Sequence, residues 1–234
     1  MGTRRLIMKL RLYLGMILVV GSNLGLLSVV YTPVGGAEKQ YKTLPEKKEL
    51  FEKVGCKYFD ALKIEYPEFS KLHAKKSAKY QDNKKVADQY TQQYASLLTQ
   101  DKKAPMHLAW ISKYAGYGVV AAKPIKKDAW IGQYAGVVRE IDNGKDNLDY
   151  AWVYSLNGID GKQLVIDAKR QGNELRFINH ATDPNTVCID VLGDDGIFHM
   201  GYIALKDIKK DEQLTVSYGN AYFTSRSMPV VVVA

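Results

Sequence analysis

From Pro105 onward, the sequence consists of short segments rich in β-branched and aromatic residues, separated by glycine and by acidic turn residues. Such segments predict short β-strands, and the turn sequence at 193–196 predicts a hairpin. The predicted strands are 108–111, 117–121, 129–134, 152–155, 164–166, 186–192 and 197–205. Residues 172–177 are predicted to form one short helix. Because the segments are short and numerous, we expect a mainly β fold built from several small twisted sheets rather than one large sheet.

Residues 38–103 show a different pattern, in which apolar residues recur about every four positions. These residues are Leu50, Val54, Tyr58 and Leu62 in a first run, and Val86, Tyr90, Tyr94 and Leu97 in a second. This spacing predicts amphipathic helices whose aromatic residues lie in a core. We therefore expect a small helical region at 38–103, packed either on itself or on the domain at 104–234.

The net charge of +8 is unevenly distributed along the chain. Residues 1–37 carry four basic residues and no acid, and residues 38–103 carry fifteen lysines and ten acids, so residues 104–234 are left with a net charge of −1. Phosphate-binding surfaces need clustered Lys and Arg. The lysines of 38–103 are interleaved with acids, which is typical of a solvated helix face. We therefore predict no direct binding of nucleic acid.

Residues 1–37 have the layout of an export signal. Basic residues precede an apolar run at 12–31, and Gly35 and Ala37 suit cleavage after Ala37. The run is also long enough to remain as an uncleaved membrane anchor. In either case the positive-inside rule places the rest of the chain outside the cytoplasm. We predict an exported protein that contacts a membrane only through this segment, if it is not cleaved.

Sequence motifs in the β-rich part occur in a characteristic order. They are Gly116-Tyr117-Gly118-Val119, the segment at 131–137, Arg176-Phe177-Ile178-Asn179-His180 followed by Pro184-Asn185, and the segment from Glu212 to Gly219. Together they resemble the signature of the SET domain of protein-lysine methyltransferases, over roughly residues 106–223. The resemblance implies a knot-like crossing, in which the Asn179-His180 stretch is threaded under the segment that ends in Tyr218-Gly219. This crossing would form the floor of a pocket for S-adenosylmethionine.

The resemblance also implies roles for individual residues. Tyr218 matches the catalytic tyrosine of the family, and Tyr134 matches a tyrosine that lines the lysine channel. The implied cofactor-binding residues are Ala115, Gly116, Tyr117 and Gly118 for the methionine end, Asn179 and His180 for the amino group and adenine, and Tyr222 or Phe223 for the adenine face. The implied substrate is a lysine-containing protein or peptide, such as a histone tail. Tyrosine suits such a channel because its ring is an apolar wall and its hydroxyl orients an amine.

Two positions depart from the family pattern. Val216 stands where many members have Phe or Tyr, and Cys188 stands where some members with valine at the first position have a compensating tyrosine. A roomier channel would change the number of methyl groups added. Many SET proteins also have a zinc-binding cysteine cluster after the catalytic core. Because no cysteine follows Tyr218, we predict no metal site.

The predicted location and the predicted chemistry are in tension, because S-adenosylmethionine is kept in cytosol. We hypothesise a secreted bacterial protein that acts after it enters a host cell. A second hypothesis is a catalytically silent SET-like module that binds a peptide or partner. A third is an enzyme that modifies a non-histone or bacterial protein.

Overall fold

The structure is a computed structural model that describes residues 39–141 and 148–224. The predicted export signal or anchor at 1–37 lies outside these residues. None of the helices in the two described ranges has the length and hydropathy needed to span a bilayer.

Short strands and a few helices alternate along the chain. The α-helices are α1 (Leu44–Lys53), α2 (Ala78–Asp82), α3 (Lys84–Thr99) and α4 (Asn220–Thr224). The strands are β1 (Lys57–Tyr58), β2 (Leu62–Ile64), β3 (Met106–Ser112), β4 (Gly116–Ala121), β5 (Trp130–Gln133), β6 (Gly136–Glu140), β7 (Ala151–Asn157), β8 (Gln163–Asp167), β9 (Gln171–Gly172), β10 (Asn179–His180), β11 (Thr186–Leu192), β12 (Phe198–Ala204) and β13 (Thr215–Val216). Single 3-10 turns occupy Phe69–Lys71, Ala74–Lys76 and Glu174–Phe177.

The strands form several small sheets, as the sequence predicts. The largest sheet has the strand order β2-β6-β8-β7, and another has the order β11-β12-β5. The strands β3 and β4 form an antiparallel hairpin, while β1 pairs with β9 and β10 pairs with β13, both in parallel. The strand β6 lies in the middle of the largest sheet, although the strand pattern of the sequence does not predict it.

The predicted helix through Leu62 is wrong beyond Lys53. Thr43 and Glu46 form a capping box that begins α1, and Gly55 (φ +69°) follows its end. The residues after Gly55 form β1 and β2, which pair with β9 and β6. Their apolar side chains have a spacing that fits a helix, but partners distant in the chain hold them as strands.

The second predicted helix is confirmed as α3, and it packs on the β-rich part. The Tyr94 ring stacks on Trp130 with centroids 5.7 Å apart, and its hydroxyl donates to the Asp128 carbonyl at 2.8 Å. A buried ionic contact ties α1 to the 3-10 turn before β10, because Lys47 contacts Glu174 at 2.8 Å. The 39–103 region is thus structurally continuous with the sheets that follow it.

Candidate active site

The predicted crossing is present as a short parallel strand pair. In β10 and β13, Asn179 lies opposite Thr215, and His180 lies opposite Val216. Asn185 fixes this arrangement: its Oδ1 accepts from the Thr215 amide at 2.8 Å, and its Nδ2 donates to the Gln213 carbonyl at 2.8 Å. The sequence motifs therefore meet in space because Asn185 clamps one segment onto the other.

A cavity of about 1310 Å³ opens beside the crossing. Its lining includes every predicted site residue except Gly118: Ala115, Gly116, Tyr117, Tyr134, Asn179, His180, Tyr218, Tyr222 and Phe223. Aromatic rings and backbone make up much of the wall. The predicted catalytic residues and the predicted cofactor-binding residues other than Gly118 thus line one shared cavity.

The two glycines of the first motif have different surroundings. Gly116 has φ +68°, a conformation that other residues rarely adopt, and apart from its two chain neighbours no described residue has an atom within 4 Å of the position a Cβ would occupy. A Cβ on Gly118 would instead lie 2.5 Å from both Ile111 Cγ1 and Gln213 Oε1. Gly116 therefore keeps backbone accessible at the cavity, whereas Gly118 allows β4 to pack closely against its neighbours. The structure does not place Gly118 with the other predicted cofactor-binding residues.

Tyr218 is held by two hydrogen bonds within the crossing. Its hydroxyl donates to the Ile178 carbonyl at 2.9 Å, and its backbone amide donates to His180 Nδ1 at 3.1 Å. Burial, followed by the neighbouring Tyr222 and Tyr150, raises the pKa of Tyr218 well above its usual value. The hydroxyl therefore remains protonated, with its proton directed at a carbonyl and its lone pairs left for other partners.

Tyr134, which lines the same cavity, is also held by a hydrogen bond of its hydroxyl. Its hydroxyl donates to the Tyr150 carbonyl at 2.6 Å, and its side chain is fully buried. Burial raises the pKa of Tyr134 well above that of a free tyrosine. Both tyrosines thus present rigid rings and oxygen lone pairs, as an apolar channel with a polar end requires.

Asn179 and His180 are positioned by backbone contacts. Asn179 Nδ2 donates to the Tyr117 carbonyl and to Gln213 Oε1, each at 3.2 Å, so its Oδ1 is left as an acceptor. The His180 ring packs against Phe223 with centroids 4.7 Å apart. Burial lowers the pKa of His180, partly offset by the Val216 carbonyl, so the ring is neutral near pH 7. A polar acceptor and an aromatic surface therefore lie side by side.

Comparisons with known proteins agree with this geometry. The SET domain family matches residues 116–219. Over 111 residues the chain is 32% identical to the histone-lysine N-methyltransferase MEDEA of Arabidopsis thaliana, covering 44% of this chain and 15% of MEDEA. It is also 32% identical over 113 residues to the histone-lysine N-methyltransferase EZ2 of Zea mays, and this match covers 46% of this chain and 12% of EZ2. The chain thus spans less than a fifth of the length of these relatives.

A solved structure has the same fold. The crystal structure of ATXR5 in complex with histone H3.1 superposes with a TM-score of 0.60 at 21% identity, over 76% of this chain and 88% of ATXR5 in that crystal. Residues 116–219, which the family matches, contain the β10–β13 crossing and the β11–β12 hairpin. Residues 116–219 form a SET domain.

Several residues that line the SET-domain cavity were missed by the sequence motifs. Tyr150 has φ +61°, which is rare for a bulky residue, and the Arg176 guanidinium lies 3.7 Å from its ring centroid. The Trp152 ring meets Tyr218 at a centroid distance of 6.5 Å. Neither Tyr150 nor Trp152 belongs to a motif. Tyr150 directly precedes β7 and Trp152 lies in it, and only the pairing of β7 in the folded protein brings them to the cavity.

Arg176 and Glu212 are motif residues that make hydrogen bonds within the SET domain. Arg176 Nε donates to the Ala168 carbonyl at 2.8 Å. Glu212 accepts from Asn185 Nδ2 at 2.9 Å and from the Lys209 amide at 2.9 Å. Both side chains therefore hold loops in place through hydrogen bonds.

The two positions that depart from the family pattern lie in the interior. Val216 is buried, and Cys188 lies directly opposite Tyr202 in the β11–β12 hairpin. Burial raises the pKa of the Cys188 thiol well above its usual value, although the side chain remains partly accessible. Cys188 and Cys56 are both free thiols. The small Cys188 side chain thus lies beside the buried Tyr202.

Proposed function

We propose that this protein transfers a methyl group from S-adenosylmethionine to the side-chain amine of a protein lysine. The observation that carries the proposal is the β10–β13 crossing, which brings Asn179, His180 and Tyr218 to the cavity that Tyr134 also lines. The SET-domain match over residues 116–219 supports the same activity.

The cavity fits the proposed cofactor. Asn179 Oδ1 is available to accept from an ammonium group, and the accessible backbone at Gly116 suits a carboxylate or amine at close approach. Phe223 and His180 offer flat faces to a purine. When bound, S-adenosylmethionine supplies a methyl group activated by its sulfonium sulfur.

The protein's own task is to present an uncharged amine in line with that methyl group. A free lysine has a pKa of about 10.4, so only about one molecule in a thousand is neutral near pH 7.4, a cost of roughly 4 kcal/mol. An apolar wall lowers this cost because desolvation disfavours the ammonium form. The buried Arg176 guanidinium, which also lines the cavity, disfavours it further. Tyr134 and Tyr218 then hold the amine through the oxygen lone pairs described above. Such alignment lowers the activation free energy by several kcal/mol.

A histone is the proposed substrate class. The relatives MEDEA and EZ2 are named as histone-lysine methyltransferases, and ATXR5 was crystallised with histone H3.1. The chain spans only 15% of MEDEA and 12% of EZ2, so the substrate is a proposal and not a property carried over.

Export of the protein is also proposed, from the basic and apolar pattern of residues 1–37. Fractionation of the producing cell, with N-terminal sequencing of the recovered protein, tests this. A mature N-terminus after Ala37 in the medium is expected. A chain found wholly in the cytoplasm with Met1 intact would contradict export.

The decisive test of activity is methyl transfer by the full chain. We expect label from S-adenosylmethionine to appear on a lysine of histones or of a lysate protein, and to be lost in Tyr218→Phe, which keeps the ring but removes the hydroxyl. Cofactor binding without transfer across the whole panel would instead indicate a silent binding module.

A further inference from the structure

A second cavity of about 580 Å³ lies between the 71–79 segment and strand β7. One wall carries Lys71, His73, Lys76 and Lys79, and the other is formed by residues 153–157 of β7. We call this cavity the basic cleft. It lies outside the motifs that define the SET domain.

The positive charge of the basic cleft is only partly neutralised. Residues 71–85 contain six lysines and one acid, Asp82, so the interleaving that holds for 38–103 as a whole fails here. Lys79 pairs with Asp190 at 2.7 Å and donates to Ser155 at 2.7 Å. In the described residues, Lys71 and Lys76 are exposed and have no carboxylate oxygen within 4.0 Å. The basic cleft therefore offers two cations to an anion from outside.

Strand β7 connects the basic cleft to the active-site cavity. It is the end strand of its sheet and pairs only with β8 among the described strands. Val153 lines both cavities and is 52% exposed, while Trp152 lines the active-site cavity beside Tyr218. An extended peptide can add to the exposed part of such an edge through main-chain hydrogen bonds, here as far as Val153, because Tyr154, Ser155 and Leu156 are buried. A peptide on this edge would pass from Tyr218 to the basic cleft.

The spacing along β7 fixes which peptide residue would reach the basic cleft. A strand rises about 3.3 Å per residue, so the two or three residues from Val153 to the middle of the cleft span about 10 Å. Since the lysine side chain enters beside Trp152, the group in the cleft belongs to a residue about three to five positions away.

We propose that the basic cleft is a substrate subsite that binds an anionic side chain, three to five residues from the methylated lysine, on a peptide added to the edge of β7. The inference rests on the proposed lysine methyltransferase function. A purely basic histone tail is then a poor substrate, and a lysine with a nearby acidic or phosphorylated residue is a good one.

The test uses the full chain and a set of peptides that share one target lysine. Each peptide carries Glu, phosphoserine, Gln or Lys at one of positions three to five on either side. We expect kcat/KM to be about three- to tenfold higher for the anionic peptides than for the Gln peptide. The difference should lie in KM, and it should become smaller at high salt. A higher value for phosphoserine than for Glu identifies a phosphorylated substrate, and equal values identify a carboxylate.

Variants of the basic cleft locate the effect. In the double variant Lys71→Glu, Lys76→Glu, we expect the preference to invert, so that the Lys peptide becomes the better substrate. Lys48→Glu, an exposed charge reversal outside the linings of both cavities, should leave the preference unchanged. Equal rates for all peptides, or an anion preference that survives in the double variant, would overturn the inference. Absence of transfer to every peptide and to lysates would instead count against the proposed function itself.

Discussion

The backbone amide of Tyr218 donates a hydrogen bond to Nδ1 of His180 across 3.1 Å. The acceptor nitrogen must carry a lone pair, so in the neutral ring the proton resides on Nε2. Burial favours this neutral ring because it lowers the pKa of His180. The position of the predicted catalytic tyrosine is therefore set by a side chain thirty-eight residues earlier in the chain.

Replacing His180 should separate its role as an acceptor from its role as an aromatic surface. In His180→Leu the Tyr218 amide loses its partner, which we expect to cost about 1–3 kcal/mol of unfolding free energy. In His180→Asn the Oδ1 oxygen can take the place of Nδ1, so most of that stability should return. Chemical denaturation of both variants measures the difference. Equal destabilisation in the two variants would mean that the hydrogen bond is not what holds Tyr218.

The pH dependence of turnover should follow the substrate amine and not Tyr218. Below its pKa of about 10.4, a tenfold larger fraction of the substrate lysine is neutral for each pH unit gained. Burial, Tyr222 and Tyr150 all raise the pKa of Tyr218, so its hydroxyl stays protonated in this range. We expect kcat/KM to rise from pH 7 to pH 9 without a maximum. A downturn near pH 9 that vanishes in Tyr218→Phe would contradict this assignment.

Enlarging Cys188 should lower the number of methyl groups added. Cys188 lies opposite Tyr202 in the β11–β12 hairpin, and the Tyr202 ring lies 6.2 Å, centroid to centroid, from that of Tyr134, the predicted channel tyrosine. In Cys188→Tyr the new ring should narrow the channel beside these tyrosines and leave no room for a second methyl group. Mass spectrometry of the product peptide should then show mainly monomethyllysine, against more extensive methylation by the native protein. Cys188→Ser, which keeps the volume, is the matched control, and its product distribution should not change.

The buried carboxylate of Glu174 should contribute several kcal/mol to the free energy of unfolding, but only while its cationic partners are present. It accepts from Lys47 at 2.8 Å and from the Tyr58 hydroxyl at 2.7 Å. Burial alone would raise the pKa of Glu174, but Lys103 and Lys47 outweigh burial and hold it below the usual value. Glu174→Gln leaves Lys47 as an uncompensated buried charge, a loss of about 3–5 kcal/mol near pH 7.

Two further measurements check the role of Glu174. Because its pKa is depressed in the folded state, its stabilising effect is present above the unfolded carboxyl pKa and is lost as the pH falls through the folded pKa. The gap between the native protein and Glu174→Gln should therefore narrow below about pH 4. The double variant Lys47→Met, Glu174→Gln should recover part of the stability at pH 7. If the double variant is no more stable than Glu174→Gln, the two residues are not coupled.

The sequence predicts the site better than it predicts the region that precedes it. The motif residues Asn179, Asn185 and Tyr218 lie at one crossing, and short-range motifs are enough to find them. In contrast, Lys57 pairs with Gln171, more than a hundred positions away, so local spacing around Tyr58 indicates a helix where tertiary pairing forms a strand.

The same limit applies inside the cavity. Trp152 reaches Tyr218 through the pairing of β7 with β8, and Tyr150 adopts its unusual φ where its carbonyl binds the Tyr134 hydroxyl. Neither position has a composition or spacing that distinguishes it from an ordinary strand. Gly118 shows the reverse case, because its motif predicts a ligand contact and its surroundings show a packing constraint.

His107 should be a source of acid sensitivity in this fold. It lies on β3 and is only 3% exposed, and neither ring nitrogen has a hydrogen-bond partner among residues 39–141 and 148–224. Burial lowers the pKa of His107, and the nearby Lys42 lowers it further. A base whose pKa is depressed by folding binds more protons when unfolded, so stability rises with pH up to about the unfolded value of 6.5 and falls as the pH drops below it.

Replacing His107 by leucine keeps a similar volume and removes two unsatisfied polar atoms. We expect the unfolding free energy of His107→Leu at pH 7.5 to exceed that of the native protein by about 1–3 kcal/mol, because an unpartnered buried polar group costs about that much. The gain in unfolding free energy should grow as the pH falls from 6.5 to 5. Over this range His107 of the native protein takes up a proton in the unfolded chain but stays neutral in the folded state. Urea denaturation at several pH values measures both effects. A variant that is less stable than the native protein at pH 7.5, or whose advantage shrinks on acidification, would show that His107 has a partner or role in solution that its surroundings in β3 do not provide.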